Sequence, residues 1–383
     1  VATLDAKSLI GTILPIVIFG FSFGLYEVLF PLYMNFLDIS LLDMGFAFTL
    51  SALFVTIANI FIGERSDILG RKIFFSSALL LGGISHLTTS FFSSLIPLTI
   101  LKILFDTSVA IKNAVFVPML FDQDKENFIP AYSKMSGLEF IFQAVGLALS
   151  GFLVEFLGYH TTFIVSGILQ IFGFVVFSIL FVERTRNRII NKSNNVKSYS
   201  KFPRQLVVLS VSGLILFIGS SASHSFITPL FFSEKFALSP VMVSILMTIH
   251  RLSLGIPLMY SDKIIKKLKK FQLKFYLMLF VSVQGFFTAI STFPNLFVAS
   301  AFLWILHDFI GASLWLPIRN YMIQLYCRED SRGKDYNLVS SISSIGSIVG
   351  PFLAGVSGSM SINLPFRLSG IIIILSNIPL YML

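Results

Sequence analysis

The chain has 383 residues, of which 55% are hydrophobic and only 12% charged, half of the roughly 25% charge found in a soluble domain. Apolar runs of helical spanning length recur from end to end without strand-like alternation, which excludes a water-soluble enzyme with one buried core and an outer-membrane barrel. The net charge of +9 therefore reports orientation in a membrane and not affinity for nucleic acid.

Runs bounded by charge or by Pro, Gly, Asn and Ser clusters predict twelve transmembrane helices. They cover 9–36, 41–62, 73–92, 95–121, 133–157 and 160–182, then 205–232, 239–260, 272–292, 295–325, 337–359 and 363–383. The first run is far longer than a signal-peptide core and has no small-residue cleavage site, which predicts a retained span. Residues 1–182 are expected to form one six-helix bundle and 205–383 a second, joined by a cytoplasmic linker at 183–204 with seven basic residues. That linker and the Lys263 to Lys274 cluster suit contact with anionic lipid headgroups. An even number of spans puts both termini on one face, and that face collects 22 of the 28 basic residues, against Lys235 and Arg367 opposite. The positive-inside rule then places both termini in the cytoplasm of a multi-pass plasma-membrane protein. Cys327 is the single cysteine, so no intramolecular disulfide is possible.

The two halves echo each other. Pro118 and Pro317 are 199 residues apart, as are Gly151 and Gly350, while Gly146 and Gly346 are 200 apart. Asp67 and Asp262 occupy matching loops. A parallel repeat of six plus six helices is an architecture in which a substrate sits near the midplane between halves that rock against each other.

After the second span the chain reads Gly63-Glu64-Arg65-Ser66-Asp67-Ile68-Leu69-Gly70-Arg71-Lys72. This resembles the signature loop of the major facilitator superfamily, Gly-x-x-x-Asp-x-x-Gly-Arg-Lys/Arg, carried by that family between its second and third helices. The resemblance implies an all-α membrane protein, monomeric, with twelve helices in two pseudo-symmetric bundles. It also implies that Gly63, Asp67, Gly70, Arg71 and Lys72 act as a conformational latch and not as substrate ligands. The second copy, Tyr260-Ser261-Asp262-Lys263, keeps the acid without the glycines. Lys102, twenty residues before Asp122, is similar in spacing to the family's helix-4 Arg, with Lys in its place and Asp106 where the family has Gly. Gly137, Gly146, Ser150 and Gly151 partly resemble the family's antiporter motif, and Gly346, Gly350, Pro351, Ala354 and Gly355 form a closer copy in the second half. Small residues at these spacings also permit close helix packing.

Ionisable groups at membrane depth are functional candidates. Glu27, the only acid of the first span, could bind a cationic substrate or carry a coupling proton. Lys102 and Asp106 are four apart, share a helix face and can pair, whereas Lys112 points elsewhere and either snorkels or lines the cavity. His250 and Arg251 in the eighth span, and His307 and Asp308 in the tenth, lie near mid-membrane. There Arg251 is expected to hold Asp308 ionised until protonation releases it. His224, within a Ser-rich stretch of the seventh span, is expected in a polar cavity wall. The five histidines fall in five separate segments without paired spacing, so no metal centre is expected. Glu139 is expected to serve the N-terminus of its helix.

No nucleotide-binding loop, nucleophile elbow or zinc-protease motif occurs, so neither a cofactor nor enzymatic activity is expected. The reading is a secondary transporter that moves a small organic solute by alternating access, with protons and membrane lipids as its other partners. Phe-rich spans with Glu27 and Asp106 point to drug-like export by proton antiport. Lys102, Lys112 and Arg251 point to the alternative, uptake of a sugar or organic anion. A ligand receptor without flux, or a membrane enzyme, could share the same shape.

Overall fold

The computed structural model describes residues 6–123, 128–183, 202–265, 268–269, 272–328 and 332–383. With no water in a bilayer core to satisfy backbone groups, apolar runs of this length must close their hydrogen bonds within a helix. The described residues comply in chain order. The first expected span is α1 (Ala6–Glu27) and α2 (Leu29–Phe36), parted at Val28; α3 (Leu41–Leu69), α4 (Arg71–Thr89) and α5 (Leu95–Gln123) follow. The fifth and sixth spans are one element, α6 (Phe128–Leu180), broken where Gly158 takes φ 77° and ψ 167°. Span seven is α7 (Arg204–His224) with α8 (Ile227–Phe236), and spans eight and nine are α9 (Pro240–Ile265) and α10 (Leu273–Ile290). Span ten consists of α11 (Phe297–Leu306), a π-helical turn at His307–Ala312, and α12 (Ser313–Tyr326). The chain continues through α13 (Arg332–Ser344), α14 (Gly346–Met360), α15 (Leu364–Leu375) and a 3₁₀ turn at Pro379–Met382.

Nine segments among the described residues are long and apolar enough to cross a membrane, one of them, Gly137–Leu180, long enough to do so twice. Neither α4, rich in Ser and Thr, nor α5, with Lys102, Asp106 and Lys112 inside it, is among the nine. The linker expected at 183–204 lies outside the described residues apart from its ends, Glu183 and 202–204.

Apolar packing divides into three cores. One joins the two halves at the end of the bundle remote from the chain termini, where Phe30, Leu32, Met44 and Phe163 meet Phe226, Phe231, Leu246 and Phe366. The other two lie toward the termini and stay within one half each, around Phe75, Phe177 and Phe181 in the first and around Leu209, Trp315 and Ile323 in the second. The halves are thus sealed at one end by shared core and packed independently at the other. The repeat seen in sequence has a structural counterpart: Gly146 of α6 lies against Phe21 and Leu25 of α1, and Gly346 of α14 against Leu214 and Ile218 of α7. At the seal the backbones of α3 and α14 come so close that a Cβ on Gly45 would stand 2.9 Å from the Cα of Gly355.

Candidate functional site

Two cavities, of about 350 and 360 Å³, lie between the helices on the termini side of the seal, and Arg251 of α9 lines both. Its guanidinium donates to the carboxylate of Glu27 at the end of α1, so this ion pair bridges the two halves. Both side chains are partly exposed within the cavity, 26% for Arg251 and 37% for Glu27, which leaves the pair open to competing ligands. The expected partnership of Arg251 with Asp308 is therefore corrected: Arg251 pairs with Glu27 of the first half, while Asp308 faces a different neighbour.

That neighbour is histidine. His250 Nε2 lies 3.0 Å from Asp308 Oδ2 and His307 Nε2 lies 3.1 Å from Asp308 Oδ1, while His224 Nε2 and His307 Nε2 are 2.8 Å apart. The indole of Trp304 packs on all three imidazoles, with ring centroids 4.0 Å away at His307, 5.0 Å at His224 and 5.3 Å at His250. The sequence reading kept the five histidines apart. Three of them converge because α7, α9 and the π turn of span ten cross at one point, and spacing along the chain is blind to such a crossing.

In the first half Lys102 Nζ donates to Asp106 Oδ1 at 2.5 Å, the intrahelical pair expected from their spacing. Ser51 of α3 donates to the other carboxylate oxygen at 2.6 Å, and the Phe48 ring lies 4.6 Å under the ammonium. Lys112 does not snorkel. It is buried and donates to both carboxylate oxygens of Glu139 at 2.5 Å, with Gln143 Nε2 donating to Oε1 at 3.2 Å. Glu139 is corrected accordingly: α6 begins at Phe128, three turns earlier, so the residue is interior to the helix and cannot serve its N-terminus. Both members of this pair line the second cavity.

The expected signature loop is mostly helix. Gly63 and Asp67 belong to α3, which runs to Leu69, and the side chain of Asp67 lies outside the described residues. Gly70 alone makes the turn, at φ 96°, a conformation that favours glycine. The Arg71 and Lys72 amides at the start of α4 donate to the Glu183 carboxylate at 2.7 and 3.3 Å, and Lys72 Nζ donates to the Phe181 carbonyl at 2.7 Å. Glu183, three residues past the end of α6, thus supplies the anion that a helix N-terminus favours, a partner the sequence reading did not name.

Two buried groups were given no role in that reading. His86 of α4 stacks on Tyr26, centroids 4.0 Å apart, and its Nδ1 lies 2.8 Å from Ser166 Oγ and 3.2 Å from Ser22 Oγ. Its presence in a span was the available signal. Arg319 of α12 is buried and donates to Ser343 Oγ at 2.7 Å, and no carboxylate pairs with it among the described residues.

The fold is that of known membrane transporters. The family model described as Major Facilitator Superfamily matches residues 12–351. A point mutant of the nucleoside transporter NupG superposes with a TM-score of 0.78 at 12% identity, covering 98% of each chain. A bacterial homologue of the human lysosomal transporter Spinster, inward-facing and unoccupied, gives 0.75 at 12%, covering 99% of this chain and 96% of the other. A bacterial homologue of the iron transporter ferroportin, inward-facing, gives 0.70 at 15%, covering 97% of each. No curated protein sequence matches the chain significantly. Matched by the family model over most of its length and folded like these transporters, the chain belongs to the major facilitator superfamily.

Proposed function

We propose that this transporter exports a small amphipathic organic cation in exchange for protons, with Glu27 as the carboxylate for which cation and proton compete. The observation that carries the reading is the Glu27–Arg251 pair: it joins the halves across a cavity whose wall also contains Phe217, Met247, Leu254 and Trp315. A proton on Glu27 removes the charge that holds Arg251, and a cation at Glu27 displaces Arg251. One carboxylate cannot hold both, which is the physical condition for exchange. The anion reading is less well supported, since Lys102, Lys112 and Arg251 each already face a carboxylate, of Asp106, Glu139 and Glu27 respectively. The basic loops suit cytoplasmic termini, and the parted end of the bundle then faces the cytoplasm, as a cation exporter needs while loading.

The test is uptake of a fluorescent lipophilic cation into inside-out vesicles under an imposed pH gradient. Glu27→Gln is expected to lower gradient-driven uptake roughly tenfold or more, the worth of one charge-assisted hydrogen bond. An unchanged, pH-dependent rate in that variant overturns the assignment. Flux of sugars or organic anions that depends on Arg251, with none of cations, replaces it by the uptake reading.

A further inference from the structure

We infer that His224, His250, His307 and Asp308 form a binding site for a divalent first-row transition metal ion, of which Zn²⁺ is the type. The inference stands apart from cation exchange at Glu27, which none of these four residues contacts in the ion pairs described.

It begins with where the imidazole protons are. His224 Nδ1 lies 2.9 Å from both the Ser220 carbonyl oxygen and Ser223 Oγ, a hydroxyl that itself donates to the Ser220 carbonyl, and His307 Nδ1 lies against the Trp304 carbonyl oxygen. A carbonyl can only accept, so each Nδ1 carries the N–H and each neutral ring presents an Nε2 lone pair. Those two lone pairs face each other at 2.8 Å, and His307 Nε2 also faces Asp308 Oδ1 at 3.1 Å. Three acceptors thus converge with no donor between them, an arrangement that repels itself until a cation enters. The backbone carbonyls behind the rings are the outer partners that metal-ligating histidines use to fix tautomer and ring direction.

The metric fits as well. One ligand atom from each of the four residues lies within 4.8 Å of all the others. Ligand atoms at about 2.0–2.1 Å from a tetrahedral Zn²⁺ stand about 3.3 Å from one another; here His307 Nε2 stands 2.8 Å from His224 Nε2 and 3.1 Å from Asp308 Oδ1, and His250 Nε2 stands 3.0 Å from the other carboxylate oxygen, Oδ2. Three imidazoles and one carboxylate suit zinc and its neighbours in the first row, and offer too few oxygens for magnesium or calcium. His224, His250 and Asp308 line the 350 Å³ cavity, which gives an ion access. The π turn at His307–Ala312 aims two consecutive side chains at the same point, and such turns are frequent at functional sites. All four ligands belong to the second half, so rocking of the halves changes access to the ion without dismantling its site.

The experiment titrates cobalt(II) chloride into the purified full-length protein in detergent, read by visible absorption and by fluorescence. The chain has two tryptophans, Trp304 and Trp315, and Trp304 packs on the histidines, so a bound paramagnetic ion should quench its emission. Expected are saturable binding of one ion per chain, the ligand-field bands of a tetrahedral nitrogen-rich site, and displacement by Zn²⁺. His224→Gln, His307→Gln and Asp308→Asn should each weaken binding by at least about tenfold, the lower bound set by losing even an outer partner. Glu27→Gln should bind cobalt as the unaltered protein does, so failure of the exchange reading and failure of this one are separable. Absence of saturable binding to the unaltered, helical protein overturns the inference without recourse to any variant, and would mean that a shared proton bridges the two imidazoles. Undiminished binding in His307→Gln overturns it equally.

Discussion

A lysine and a glutamate buried together hold each other in a membrane interior for want of any other counter-charge. Lys112 and Glu139 are 3% and 8% exposed and lie on different helices, α5 and α6. Removing one partner leaves the other charge desolvated and unpaired, which costs about 3–5 kcal/mol, whereas removing both is close to neutral. Lys112→Met is therefore expected to lower the unfolding temperature of the detergent-solubilised protein sharply, and Lys112→Met with Glu139→Gln to recover most of it, the amide oxygen still accepting from Gln143. A double variant no more stable than the single one would show that the two side chains act independently. The contrast with Lys102 and Asp106 marks what a sequence can disclose about a site. A pair four apart on one helix is written in the spacing; a pair 27 residues apart on two helices is not. Nor are Arg251 with Glu27, or the meeting of His224, His250 and His307, because each depends on how helices cross.

Helix ends were legible where chemistry is local and obscure where it is borrowed. The glycine at position 70 announced a turn, and Gly70 does separate α3 from α4. The N-terminus of α4, in contrast, takes its cap from Glu183, more than a hundred residues away, through the amides of Arg71 and Lys72. Loss of a side-chain cap costs about 0.5–2 kcal/mol, and the carboxylate adds its favourable interaction with the helix dipole. Glu183→Ala is expected to destabilise the protein by about 1 kcal/mol in thermal unfolding, with Glu183→Gln in between because an amide oxygen accepts but carries no charge. Equal stability of all three proteins would deny the cap a role. The interrupted spans were harder still to foresee. Apolar content is the same on both sides of Val28, and the His307–Ala312 turn lies inside one spanning segment, Phe297–Tyr326, so hydropathy marks each crossing and says nothing of the break. Gly158 is the contrary case: the expected spans 133–157 and 160–182 part at this residue, ahead of the polar Tyr159, His160, Thr161 and Thr162, and it is there that the helix breaks.

On the scale of the whole molecule, the division of the core determines what can move. Two cores toward the termini each belong to one half, and a single core at the opposite end belongs to both. Twelve helices in two halves could be read from hydropathy and from the 199-residue echo of Pro118 in Pro317, but which end is sealed could not, since the seal is made by residues of both halves that meet only once the helices pack. Alternating access requires the shared core to come apart while the separate ones stay whole. Ser150 of α6 and Ser244 of α9 sit on opposite sides of that seal with their hydroxyl oxygens 3.0 Å apart, close to where the sulfurs of a disulfide of about 2 Å bond length would lie. With Cys327, the only native cysteine, replaced by serine, the double variant Ser150→Cys with Ser244→Cys is expected to oxidise readily and to hold the seal shut. Transport in vesicles should fall to background on oxidation and return on reduction, while each single cysteine variant, which cannot cross-link within the chain, should be insensitive to both treatments. Full transport by the cross-linked protein would mean that the halves do not part at this seal, and that the solute passes by some motion other than rocking about the central cavities.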